Sequence, residues 1–272
     1  MRTPWRVWLV ELFAAGNLAF LSVDILLAHA VNRFAHPAEW MPVYFGGLVL
    51  LLIPGLLLRR HRDGIFRILG LTVGWASVLL GVIGLLFHLQ SRFFLENTLR
   101  ALVYSAPFTA PLAYTGVGCL LLLNRLEPED SPDWGPWVVL LALGGFVGNF
   151  ALSLCDHAQN GFHDSLEWVP VFAAAFAVGF LLVAMQRASD AFFLRLCLVL
   201  MAVQAAVGVW GAGLHVWADI HGPAASLREN VLNGAPPFAP LLFANLALLA
   251  GIGLWDMLAR TVRLELQTSE AG

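Results

Sequence analysis

The chain has 272 residues, 59% of them hydrophobic and 12% charged, with a net charge of −3. A charged fraction about half that of an ordinary soluble domain excludes a water-soluble fold. All 15 basic residues are arginine, and they are scattered, which excludes a basic nucleic-acid-binding arm.

Apolar runs of about 20 residues recur along the chain, the length an α-helix needs to cross a hydrocarbon core about 30 Å thick. They predict helices over 8–31, 41–59, 65–89 and 102–124, then a polar linker from Glu127 to Gly135. A second set follows over 136–158, 168–186, 192–217 and 233–259, with a charged tail to Gly272. The first 30 residues loosely mimic a signal peptide. However, their apolar stretch is too long, and Glu11, Asn17 and Asp24 interrupt it. The expected fold is an all-α integral membrane protein of eight transmembrane helices. Its parts are a first unit at 1–126, a linker at 127–135, a second unit at 136–260 and a tail at 261–272.

Arginine sets the expected orientation, since basic residues stay with cytoplasmic loops. Eleven of the 15 fall on the side of both termini, including Arg59, Arg60, Arg62, Arg125, Arg187 and Arg260. Both termini are therefore expected in the cytoplasm of a bacterial inner membrane. Histidine runs the other way: His29, His36, His88, His157, His163, His215 and His221 fall at the outer, periplasmic face, and only His61 falls opposite.

The two halves repeat. His29-Ala-Val-Asn32-Arg-Phe34 and the following residues to Tyr44 match His157-Ala-Gln-Asn160-Gly-Phe162 and onward to Phe172 at eight of sixteen positions, without a gap. Gly81-Val-Ile-Gly84 before His88 pairs with Gly208-Val-Trp-Gly211 before His215, and Ala106-Pro107 to Pro111 pairs with Ala235-Pro236 to Pro240. Units with an even number of helices enter from the same side, so a parallel repeat is expected, with its pseudo-two-fold axis along the membrane normal.

The repeat places a histidine at the end of the first helix, Asn and Glu in the next loop, and a histidine at the end of the third helix. First and third helices lie diagonally in an up-down bundle, so His29 can face His88, and His157 can face His215. Paired imidazoles suit haem b, and Gly84 and Gly211 would leave room for a flat macrocycle or for a closely packed helix. With Glu39 and Glu167 added, the same imidazoles suit a non-haem transition metal: iron, copper or zinc. Asn32, Asn160, Asp156, His163, Asp219 and the intramembrane Asp24 are candidates for a supporting shell or a proton path.

Each group also has a purely structural explanation. Histidines at helix ends cap free carbonyls, Trp40 and Trp168 suit an aromatic belt, and the proline pairs suit packing kinks in helices 4 and 8. Cys119, Cys155 and Cys197 form no CxxC motif, and no nucleophile elbow, phosphate loop or HExxH is present. The expected function is haem or metal binding in electron transfer or an oxidation, with a periplasmic redox partner or a membrane complex. The alternatives are a proton- or metal-coupled transporter and a non-catalytic subunit. The outline resembles haem A synthase, but there the paired histidines lie on the even-numbered helices, so membership of that family is not inferred.

Overall fold

The computed structural model describes residues 5–58, 64–128 and 130–270. The arginine asymmetry rests partly on Arg2, Arg59, Arg60 and Arg62, which lie outside the described residues with His61 and the predicted end of helix 2. The described chain is helical, with no strand among its described residues. In chain order the helices are α1 (Trp5–Ala30), α2 (Trp40–Leu58), α3 (Gly64–Gln90), α4 (Phe93–Glu96), α5 (Leu99–Val103) and α6 (Leu112–Leu126). They continue as α7 (Trp134–Gln159), α8 (Trp168–Gln186), α9 (Ala191–Ile220), α10 (Leu227–Asn233) and α11 (Leu241–Glu270).

Six described helices, α1, α3, α7, α8, α9 and α11, are long and apolar enough to cross a membrane. Many of their large apolar side chains face outward, such as Leu79, Phe176 and Val199, as expected where lipid is the solvent. The protein is therefore a multi-pass membrane protein. The other two expected spans correspond to α2, with 19 described residues, and to α6, with 15.

Helices 4 and 8 differ from expectation. Neither runs through its proline pair as a kinked span. The chain leaves α5 at Val103 and α10 at Asn233, and regular helix resumes only at Leu112 and Leu241, directly after Pro111 and Pro240. Two prolines four residues apart would each remove a helical donor and collide with the preceding turn, so a break costs less than a kink. The short helices before these breaks are capped alike, Thr98 Oγ1 accepting from Ala101 N and Ser226 Oγ from Glu229 N. The expected tail is also helical, since α11 runs to Glu270.

Helix α1 packs on α2 and α6, and α3 packs on the same two, which leaves α1 and α3 diagonal. In the second half α7 packs on α8 and α11, as does α9. The first core gathers Leu18, Val49, Val73, Tyr114 and Leu121, and a larger one gathers Trp134, Val138, Phe146, Leu181 and Leu254. α1 and α6 meet α11 and α7 between the halves, where Asn17 Nδ2 donates to Asn245 Oδ1 at 3.2 Å.

Glycines draw the third helix of each half onto the proline breaks. A Cβ on Gly81 would lie 2.8 Å from the Pro111 carbonyl oxygen, and one on Gly208 would lie 2.8 Å from that of Pro240. Gly84 meets the Pro111 ring and Gly211 the Pro240 ring, at 2.7 and 3.0 Å from the would-be Cβ. These glycines let helices approach closely, and the space beside Gly84 and Gly211 holds the Pro111 and Pro240 rings.

Candidate metal centres at the histidine-bearing end

Beyond α1 the chain turns through Arg33 and Phe34 in left-handed backbone, with φ of 59° and 53°. A bulky aromatic seldom adopts that conformation. Three contacts hold it: Phe34 N donates to the His29 carbonyl at 3.1 Å and to Asn32 Oδ1 at 3.1 Å, while its ring stacks on Trp40 at 3.9 Å. The loop after α7 repeats this with Gly161 at φ 78° and Phe162 at 51°. Phe162 N donates to the His157 carbonyl and to Asn160 Oδ1, and its ring stacks on Trp168 at 3.9 Å.

The turn aims a carboxylate back at the helix end. Glu39 Oε1 accepts from Asn32 Nδ2 at 3.1 Å, and its Oε2 lies 3.4 Å from His29 Nδ1. Glu167 Oε1 accepts from Asn160 Nδ2 at 3.2 Å, and its Oε2 lies 3.6 Å from His157 Nδ1. Both Oε2 atoms are buried and accept no hydrogen bond. Metal–ligand bonds of about 2.0–2.2 Å in a tetrahedral shell put neighbouring ligand atoms roughly 3.3–3.6 Å apart, the range of these separations.

His88 and His215 are fixed from the other side. Each Nδ1–H donates to a backbone carbonyl at 2.8 Å, that of Pro107 for His88 and that of Pro236 for His215. A carbonyl only accepts, so each ring carries a proton on Nδ1, and in the neutral ring the lone pair then lies on Nε2. The proline pattern supplies these carbonyls. The ordinary helical donors to Pro107 and Pro236 would come from residues 111 and 240, and both are prolines without an N–H. Ala110 N and Ala239 N donate to them instead, leaving the second lone pair for histidine.

The rings of His29 and His88 approach to 6.2 Å between centroids at an interplanar angle of 79°. Among the described residues, no three His, Cys, Asp or Glu side chains form a ready-made metal-holding group. The structure thus brings together His29, Asn32, Glu39 and His88 at one end of the first half. The second half joins His157, Asn160 and Glu167, with His215 tied to Pro236 on its own third helix. His163 joins the second group, its Nδ1 3.0 Å from Glu167 Oε1.

The other candidates lie apart. Asp24 is half-buried in α1, and Asn17 on the same helix is tied to Asn245. Asp156 is exposed in the last turns of α7. Asp219 is buried against Gly234, and neither of its carboxylate oxygens accepts a hydrogen bond. His36 and His221 are structural. His36 Nδ1 accepts from Ala38 N at the start of the turn Pro37–Glu39, and His221 Nδ1 bonds the Trp217 carbonyl while its ring stacks on Trp217.

Sequence reasoning missed a buried charged cluster at the opposite end. Glu11 pairs with Arg125, Asn124 Nδ2 donates to Glu11 Oε1 at 3.0 Å, and Trp134 Nε1 donates to Asn124 Oδ1 at 3.3 Å. Nearby, Asp256 takes Arg6 and Arg260. The signal was visible as Glu11 inside an apolar run, but its partner lies 114 residues away. No family model matches this chain, and no curated protein or solved structure is similar to it.

Proposed function

We propose that this protein is a duplicated eight-span protein of a bacterial inner membrane that holds a non-haem transition-metal ion in each half, near the periplasmic face, for electron transfer. One observation carries the proposal: the same constellation recurs in both halves. Each has an imidazole facing a buried carboxylate oxygen, that carboxylate steadied by an asparagine, and a second imidazole whose Nδ1–H is tied to a carbonyl. Histidines that bind metals commonly donate their other ring N–H in this way, which fixes the tautomer and turns Nε2 toward the ion.

In the first half the ligands would be His29, Glu39 and His88. In the second they would be His157, Glu167 and His215. Two imidazoles and one carboxylate suit iron, with copper and zinc accepted by the same donors. A rotation of His88, whose ring lies 6.2 Å from that of His29, would complete the first set, and the matching rotation of His215 the second. Proline packed on Gly84 and Gly211 argues against haem b between these helices. Duplication is supported by loops with matching left-handed phenylalanines, stacks and caps, and it makes α2 the counterpart of α8, each of 19 residues, and α6 the counterpart of the longer α11. Two four-helix units then place both termini on one side, which the arginine distribution makes cytoplasmic.

Metal analysis and an absorption spectrum of detergent-purified protein from cells supplied with iron, copper and zinc test the proposal. One ion per cluster is expected. His88→Gln and His215→Gln should each remove one cluster's share, without a Soret band in any sample. A metal-free wild type that also takes up no added metal overturns it.

A further inference from the structure

The two clusters are not chemically alike. In the gapless alignment of the two loops, His163 stands opposite Ala35. His163 Nδ1 lies 3.0 Å from Glu167 Oε1, while Glu167 Oε2 lies 3.6 Å from His157 Nδ1. A single carboxylate therefore spans two imidazoles. They differ sharply in exposure: the side chain of His163 is 73% exposed, that of His157 21%, and that of Glu167 only 12%. Ala35 is exposed but carries no ligand atom.

We infer that His163 is the entry ligand of the second cluster, an imidazole at the water-facing surface that captures a divalent first-row transition-metal cation and passes it along Glu167 to His157 and His215. This rests on the metal-binding function proposed above.

The chemistry is stepwise ligand exchange. A hydrated cation gives up a water for the His163 nitrogen, then a second for Glu167 Oε1, one hydrogen-bond length from the first ligand. Rotation of the carboxylate then presents the ion to the inner imidazole. No step leaves the ion without a protein ligand, so the barrier of stripping several waters at once is avoided. Imidazole nitrogen favours iron, copper, zinc and cobalt over magnesium and calcium, so the entry step also selects the ion. The first cluster has no such step, because the neighbouring His36 is committed to capping the turn Pro37–Glu39 through its Nδ1.

Cobalt(II) is the probe, because its ligand-field absorption reports uptake directly. Chelator-stripped full-length protein in detergent is mixed with Co²⁺ in a stopped-flow cell. His88→Gln isolates the second cluster, and His215→Gln isolates the first. On the His88→Gln background, His163→Ala should slow loading about tenfold with the final amplitude kept, the lower end of what groups supporting a metal site contribute. On the His215→Gln background, Ala35→His should speed loading of the first cluster. Unchanged kinetics in His163→Ala, with wild-type amplitude, overturns the entry role and leaves the metal proposal standing. A wild type that takes up no cobalt overturns both.

Discussion

Phe34 and Phe162 occupy left-handed backbone, a conformation that costs of order 1–3 kcal/mol in a non-glycine residue. Strain of that size persists where surrounding contacts over-determine it, here a tryptophan stack and two hydrogen bonds donated by the phenylalanine N–H in each loop. The result is a carboxylate turned inward. Glu167→Gln keeps the side-chain shape and removes its charge, so metal affinity at the second cluster should fall 10–100-fold, read by competitive chelator titration. At the opposite end, Glu11 and Arg125 are almost wholly buried. Glu11→Ala leaves an uncompensated buried guanidinium and should cost about 3–5 kcal/mol, whereas the joint Glu11→Leu, Arg125→Met replacement should cost much less. Thermal unfolding in detergent distinguishes the two outcomes.

Between elements, glycine and proline set how closely helices meet. A helical Gly→Ala change ordinarily stabilises by about 0.5–1 kcal/mol. Gly81→Ala and Gly208→Ala should reverse that sign. Their Cβ atoms would strike backbone atoms of α6 and α11 or of the prolines before them at 2.7–2.8 Å, forcing the helices apart at about 1–3 kcal/mol. Gly144→Ala and Gly213→Ala, which meet nothing within 4 Å, are the controls and should be neutral or stabilising. Pro111→Ala gives the Pro107 carbonyl a helical donor that competes with His88. The expected outcome is a longer α6 and weaker metal retention at the first cluster only, checked by metal content beside wild type. The periodicity and the positions of these prolines and glycines were legible in the sequence. That the prolines break the helices and hand their carbonyls to histidines was not, because a proline's effect depends on which helix packs against it.

For the whole molecule, the proposed duplication and eight crossings set the sidedness of every loop. In a cysteine-free background, single cysteines at Asp164 and Ala225 should react with an impermeant maleimide added to intact spheroplasts. Cysteines at Pro132 and Ser269 should react only after lysis. Labelling of Pro132 and Asp164 from the same side would overturn the topology.

Length, composition and apolar run lengths by themselves determined a multi-pass helical membrane protein. Helix formation in lipid follows from satisfying each backbone group locally, and local information is what a sequence displays. The repeat also paired His29 with Glu39 and His157 with Glu167, since those partners lie ten residues apart in the chain. Only the tertiary structure decided that His36 and His221 are caps, that Gly84 and Gly211 pack against Pro111 and Pro240, and that Glu11 finds Arg125 across the bundle. Each of these depends on which side chains meet from distant helices, and that is set by packing geometry rather than by any stretch of the chain alone.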